Sequence, residues 1–198
     1  LRLVVGTCTA GRTNAFADNW MPILEWGSEF SAKWASLSDS QVNEGIRDPI
    51  KVYEYMNKFY VLEGNKRVSV LKYFKAVTVN AQVIRKIPKK SDDPDVKIYY
   101  EFMDFYKATK LNDIYFSKEG SFTTLMDLVG IEPGKVMDED AKKDLVSSYL
   151  NFRTAYESRG GDRFDFPVGD AYLRFIHIHG YDNVKHMTSD EMDKNVAK

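Results

Sequence analysis

The sequence predicts an α+β fold in which a small mixed sheet with helices is extended by a mainly helical C-terminal part. Three observations predict this class. Apolar and polar residues alternate over 50–55, and an apolar run follows at 59–62, which is typical of a β-hairpin. Apolar residues at helical spacing begin directly after Gly64. Beyond about residue 95, apolar residues recur at helical spacing in several separate segments.

The first 44 residues contain few regular patterns. Leu1–Gly6 is a short apolar run that predicts a strand, and the Thr- and Gly-rich segment after it predicts a loop. Ser38 and Gln41 have the spacing of a capping box, so we expect a helical turn to begin there and to end at Gly45. The three tryptophans are expected in a core or an interface: Trp20, Trp26 and Trp34.

A hairpin, a helix and a further strand are predicted next. Residues 50–55 and 59–62 are the two hairpin strands, joined by a turn. Gly64 ends the second strand, and a helix follows from Asn65 to about Lys75. The segments at 77–79 and 82–84 are rich in β-forming residues and predict another strand, which Pro88 ends.

The remainder is predicted to be mainly helical. The helices are expected at 96–106, 121–128, 138–157 and 171–179, followed by a last helix capped by Thr188 and Glu191. We expect an N-terminal flank (1–44), a core (45–90) and a helical extension (91–198) that together form one compact unit. Because the last helix runs to the end of the chain, we also expect more protein to follow in a longer natural chain.

Composition excludes some classes of protein. The 198 residues include 28 Lys and Arg against 29 Asp and Glu, so a global basic field of the kind used by nonspecific DNA-binding proteins is absent. The only cysteine, Cys8, cannot form an intramolecular disulfide, which favours a reducing, cytoplasmic location. The sequence has no apolar run long enough to span a bilayer, so no membrane partner is expected. His177, His179 and His186 are expected near the C-terminal ends of helices, where a positive charge is favourable, and not in a metal site.

The segment Gly64-Asn65-Lys66-Arg67 is the strongest candidate site. The first N–H groups of a helix lack intrahelical acceptors and favour a bound anion, and Gly64 allows close approach of a ligand to the backbone. Cations in the first helical turn oppose the helix dipole, and a bound phosphate would remove that penalty. Arg can hold a phosphate with two hydrogen bonds, and Lys contributes a point charge. A solvated pair of cations remains the alternative interpretation.

The stretch from Gly45 to about Pro88 resembles the ParB/sulfiredoxin superfamily. Gly45-Ile46-Arg47-Asp48-Pro49-Ile50 is similar to the first sequence box of ParB-like domains, and Glu63-Gly64-Asn65-Lys66-Arg67 is similar to the box that opens a helix. The order of hairpin, helix and strand is also that of the family. The resemblance covers about a quarter of the chain. It implies that Gly64, Lys66 and Arg67 hold a phosphate.

Members of this superfamily use that phosphate site for different purposes. The residue at the position of Asn65 differs between them, and it determines which activity is expected. Sulfiredoxins use ATP and have a catalytic Cys where this chain has Asn65, so sulfiredoxin activity is not expected. ParB proteins bind CTP and DNA, and have Glu at that position. Asn is neither a general base nor a strong ligand for Mg²⁺, so nucleotide turnover by that route is not expected. Glu63 is a weak candidate for a catalytic carboxylate.

The sequence therefore leaves three hypotheses. The first is a nucleotide- or phosphate-binding module that is regulatory or DNA-associated and part of a larger protein, with a nucleotide and Mg²⁺ as possible ligands. The second is a ParB-like nuclease or a nucleotide-dependent phosphotransferase that uses Glu63 and Arg67. The third is a DNA-binding adaptor, against which the net charge of −1 counts.

Overall fold

The computed structural model describes residues 1–23, 25 and 27–197. Contacts group the chain into two compact units, which we call unit 1 (Leu1–Pro88) and unit 2 (Lys89–Lys198). Within the described residues there are one four-stranded mixed sheet and eight α-helices. The predicted α+β class is therefore confirmed.

Unit 1 contains the sheet and two helices. The strands lie in the order β1-β3-β2-β4, with β1 parallel to β3, β3 antiparallel to β2, and β2 parallel to β4. The bounds are β1 (Val4–Thr7), β2 (Ile50–Tyr55), β3 (Lys58–Glu63), β4 (Ala81–Arg85), α1 (Glu29–Asn43), α2 (Asn65–Tyr73) and a 3₁₀ turn at Ala10–Arg12.

The core of unit 1 lies between one face of the sheet and helix α2. Alternation along β2 buries Ile50 and Val52, which pack with Val61 of β3 and Val68 of α2. Each such side chain contributes about 1.5–3 kcal/mol through removal from water. Trp20 belongs to the same core, as predicted.

The β2–β3 hairpin is closed by a tight turn. Met56 and Asn57 both have positive φ, 51° and 61°, which is the conformation of a type I′ turn and suits the twist of the two strands. The buried carboxylate of Glu54 stabilises this end of the sheet. It accepts the N–H of Asn57 at 2.8 Å and the Nε–H of Arg85 in β4 at 2.5 Å.

Two predictions for unit 1 are wrong. Helix α1 begins at Glu29, not near Ser38, because the Ser28 side chain accepts the N–H of Ser31 and caps the helix ten residues earlier. The residues at 77–79 are not part of a strand. Pairing with β2 begins only at Ala81, opposite Ile50, so the β-forming residues before it have no ladder to join.

The regular elements described in unit 2 are helical. They are α3 (Pro94–Thr109), α4 (Ser121–Leu128), α5 (Glu139–Ser158), α6 (Val168–His179), α7 (Tyr181–His186), α8 (Ser189–Val196) and a 3₁₀ turn at Gly161–Arg163. The Thr188–Glu191 capping box is confirmed. Helix α7 was not predicted, because Gly180 marks the end of α6 and also precedes α7.

Aromatic residues form much of the core of unit 2. Phe102 and Phe105 of α3 pack against Phe122 of α4, with ring centroids 5.7 and 5.4 Å apart. Tyr172 of α6 is fully buried, and its hydroxyl lies 2.7 Å from Oγ of Ser148 in α5. Across the described ranges of both units, no helix has the combined length and apolar composition needed to cross a bilayer.

Candidate functional site

The candidate site lies where the parallel strands β1 and β3 end. Because the two strands are parallel neighbours, the segments that follow them meet at the same edge of the sheet. Hydrogen bonds connect these segments: the N–H of Cys8 donates to the Val61 carbonyl at 2.8 Å, and Oγ1 of Thr9 donates to the Leu62 carbonyl at 2.8 Å. The carboxyl ends of parallel strands are common places for ligands to bind.

Gly64 forms the connection between β3 and α2. Its φ is +99°, a left-handed conformation that favours glycine, and a β-carbon there would lie 2.6 Å from Cγ2 of Ile50. The close contact and the backbone conformation therefore both require glycine. After it, the N–H groups of Asn65, Lys66 and Arg67 have no acceptor among the described residues, so they are open to a bound anion.

The Asn65 side chain points into the protein. The residue is 7% exposed, and its Nδ2 lies 3.4 Å from Oγ1 of Thr9, a long hydrogen bond. Its Oδ1 is buried and has no hydrogen-bond partner among the residues that the structure describes. The side-chain amide of Asn65 is therefore turned into the protein. The backbone N–H of Asn65 is the group that remains available to a ligand at the start of α2.

Lys66 lies in a group of cations that the sequence did not predict. Its Nζ is 4.3 Å from the ring centroid of Phe30, and Cζ of Arg12 is 5.3 Å from the same centroid. Burial, followed by the charges of Arg12 and Lys33, lowers the pKa of Lys66, while the Glu29 carboxylate acts in the opposite direction. We call Arg12, Lys33 and Lys66 the cationic cluster.

Arg67 has different neighbours from Lys66, because consecutive helical residues point about 100° apart. Its Nη1 donates to the Pro49 carbonyl at 2.5 Å, and its Nη2 lies 3.9 Å from a carboxylate oxygen of Glu63. Arg67 lines a separate cleft of about 340 Å³ together with Arg47. Two of the residues predicted to grip one phosphate thus have side chains on different sides of the helix start.

Glu63 is exposed and ion-paired. Its carboxylate lies 2.8 Å from Nζ of Lys51, and this contact, more than the charge of Arg67, lowers the pKa of Glu63. An efficient general base has a pKa near the working pH, so a carboxyl group with a lowered pKa is poorly suited to that role. A catalytic role for Glu63 stays a prediction.

Metal-binding groups do not cluster in the described ranges. No set of three or more His, Cys, Asp or Glu side chains is arranged there to hold a metal ion. His177 and His179 lie in the last turn of α6, where a positive charge would suit the helix dipole.

Trp34 donates its Nε1–H to Ser69 inside unit 1, and Trp26 lies outside the described residues.

The two units differ in charge, which the total for the chain conceals. Unit 1 has 12 Lys and Arg against 8 Asp and Glu, a net charge of +4, whereas unit 2 has 16 against 21, a net charge of −5. The net charge of −1 therefore gives no argument against an anionic partner of unit 1. This signal was available from the sequence once the chain was divided at Pro88.

Comparison with known proteins finds no family model, no curated protein and no solved structure that matches the chain. The resemblance to the ParB/sulfiredoxin superfamily therefore depends on the residues quoted for it, from Gly45 to about Pro88.

Proposed function

We propose that unit 1 is a ParB-like module that binds the phosphates of a nucleotide, or another phosphate ligand, at the start of α2. In this proposal the module has a regulatory or DNA-associated role within a larger protein. The observation that carries the proposal is that Lys66, in the first turn of α2, shares the Phe30 ring with Arg12. The first three N–H groups of that helix have no acceptor among the described residues. Two cations and a helix N-terminus together favour a dianionic phosphate.

The positive charge of Lys66 is unfavourable in the folded chain when no ligand is bound. The lowered pKa of Lys66 indicates that the folded chain disfavours its charge, first because the ammonium group is partly buried and then because Arg12 and Lys33 carry like charges. A phosphate bound between Arg12 and Lys66 would compensate that repulsion and accept hydrogen bonds from the open N–H groups. Gly64 adopts the left-handed conformation that leads directly from β3 into α2, and so it places these N–H groups at the end of the strand.

Binding without turnover is the form of the proposal that the residues favour. Asn65 is not a general base, and its amide lies against Thr9. Glu63 is held by Lys51. A nuclease or phosphotransferase activity stays a prediction from the resemblance, and no contact of Asn65 or Glu63 among the described residues favours it over binding.

A binding experiment with matched variants tests the proposal. The full chain is titrated with ATP, CTP, GTP, ADP and inorganic phosphate, with and without Mg²⁺, and its thermal unfolding is followed. A ligand at about 100 times its dissociation constant should stabilise the folded state by roughly 2.7 kcal/mol. Arg12→Ala and Lys66→Ala should each reduce this stabilisation strongly, because each removes a phosphate contact.

Arg2→Ala is the matched control, because Arg2 is an exposed cation just before the amino end of β1, whereas the site lies beyond the carboxyl end of that strand. It should bind as the parent chain does. Arg67→Ala separates two forms of the site. A loss of binding shows that Arg67 turns towards the ligand, and no loss confines the site to the side of Lys66. If no nucleotide and no phosphate stabilises the chain, the proposed function is wrong.

A further inference from the structure

The two faces of the sheet in unit 1 differ in chemistry. Along β2, the residues Ile50, Val52 and Glu54 are buried on the face that packs against α2. The alternate residues of the strand point to the opposite face, where Tyr55 is 44% exposed. That opposite face is not part of the core cluster that contains Val52 and Val68.

Strand register places two tyrosines side by side in the middle of this face. Gly6 of β1 pairs with Tyr60 of β3, Tyr60 pairs with Tyr53 of β2, and Tyr53 pairs with Ile84 of β4. These four residues form one row across all four strands. A β-carbon at Gly6 would lie 3.4 Å from Cδ1 of Tyr60, so the ring of Tyr60 lies over the bare backbone of Gly6.

Lysines lie on one side of this row, where Tyr55 of β2 pairs with Lys58 of β3. We call the following residues the open sheet face: Tyr53, Tyr55, Lys58, Tyr60, Ile84 and Lys86. The Nζ of Lys86 lies 4.5 Å from the ring centroid of Tyr53. Within the described ranges, neither Lys58 nor Lys86 has a carboxylate within ion-pairing distance. The face therefore combines aromatic rings with positive charges that have no acidic partner.

This combination fits one class of partner better than others. Single-stranded nucleic acid offers bases that stack on aromatic rings and phosphates that attract lysines. An acidic peptide would use the lysines and leave the tyrosine rings without a partner. A second copy of the same face would bring like charges together. Duplex DNA keeps its bases paired and stacked inside the helix, so its bases could not stack on the tyrosine rings.

We propose that the open sheet face binds single-stranded nucleic acid, with bases stacked on Tyr60 and Tyr53 and phosphates in contact with Lys58 and Lys86. Neighbouring strands are about 4.8 Å apart, so rings on adjacent strands can receive bases from the same segment. The net charge of +4 on unit 1 favours the encounter with a polyanion. This inference is independent of the phosphate site at α2, because the two sites share no residue.

The test measures fluorescence anisotropy of labelled 12-nucleotide DNA and RNA single strands with the full chain. Tyr60→Ala and Tyr53→Ala should each weaken binding by roughly tenfold, as expected for the loss of one stacking contact. Tyr60→Phe should bind within about twofold of the parent chain, because phenylalanine keeps the ring. Lys58→Gln and Lys86→Gln should each reduce the slope of log affinity against log salt by about 0.7.

Two controls keep the test decisive. Tyr73→Ala removes an exposed tyrosine of α2 on the other side of the sheet and should not change affinity. Lys66→Ala should lose nucleotide binding and keep its affinity for the single strand. Failure of this inference and failure of the proposed function are therefore distinguishable. The lysine variants also keep the test valid if a Tyr→Ala variant does not fold.

Several results would overturn the inference. The first is no binding of any single strand at low salt. The second is equal affinity for a duplex of the same length. The third is affinity that survives both Tyr→Ala variants. Competition by oligoglutamate as strong as that by the unlabelled oligonucleotide would assign the face to an acidic peptide instead.

Discussion

The β-carbon position of Gly64 lies 2.6 Å from Cγ2 of Ile50, closer than two carbon atoms can approach without a shift in the structure. The contact joins the start of α2 to the first residue of β2, so the glycine of the candidate site packs directly against the core. Gly64 also has a φ of +99°. The shape of the site and the stability of unit 1 therefore depend on the same residue.

We predict that Gly64→Ala destabilises unit 1 by about 2–4 kcal/mol, the sum of a left-handed backbone and an overpacked contact. The three tryptophans of the chain all lie in unit 1, so urea unfolding followed by tryptophan fluorescence reports on this unit. Gly45→Ala is the matched control, because Gly45 has a φ of +75° with no atom within 4 Å of its β-carbon position. Equal losses in the two variants would contradict the contact with Ile50.

Ser69 forms hydrogen bonds to both Trp20 and Trp34 inside unit 1. It is fully buried, donates to the Trp20 carbonyl at 2.6 Å, and accepts the Nε1–H of Trp34 at 2.9 Å. Ser69→Ala should destabilise unit 1 by about 1–3 kcal/mol, because it leaves a buried acceptor and a half-buried donor unsatisfied. Ser36→Ala, at an exposed position of α1, should change the free energy of unfolding by less than about 0.5 kcal/mol.

The cationic cluster predicts a dependence of stability on alkaline pH. The pKa of Lys66 is lowered from 10.5, mainly by burial and then by Arg12 and Lys33. The unfolded chain therefore holds this proton more tightly, and stability rises with pH between the lowered pKa and 10.5. Relative to Lys66→Met, the parent chain should gain stability over that interval when urea unfolding is followed by tryptophan fluorescence. A constant difference would show that the cation is not disfavoured in the folded state.

Unit 2 should lose stability at higher pH for the opposite reason. Burial, assisted by the charge of Asp144, raises the pKa of Tyr181 from 10.0 to about 12. The folded state favours the protonated phenol, so its stabilising contribution is present below pH 10 and is lost as the pH rises through about 12. Tyr181→Phe should make alkaline unfolding, followed by far-ultraviolet circular dichroism, less steep. Tyr55→Phe, at an exposed position, should leave the transition unchanged.

Local sequence patterns were sufficient for many elements. The hairpin, the start of α2 after Gly64, the long helix α5 and the Thr188–Glu191 box all depend on residues within a few positions of one another. The predicted cap at Ser38 was wrong because the Ser28 side chain caps the same helix ten residues earlier. Propensity alone could not locate the start of β4, which depends on pairing with Ile50.

The candidate site was only partly predictable. The sequence indicated Gly64 and the helix that follows it, because a glycine between a strand and a helix is a local signal. It gave no indication that Arg12, more than 50 positions earlier, lies at the same ring as Lys66. Nor did it show that Lys66 and Arg67 have separate neighbours, since that depends on which elements pack on each side of α2.

The sequence by itself determined the α+β class and the strand–glycine–helix segment at Gly64. These properties follow from local conformational preference. The tertiary structure alone decided that Arg12 and Lys66 meet at the ring of Phe30, and that Gly6, Tyr60 and Tyr53 form one row. The physical reason is that strand register and long-range packing bring together residues whose separation along the chain leaves no local pattern.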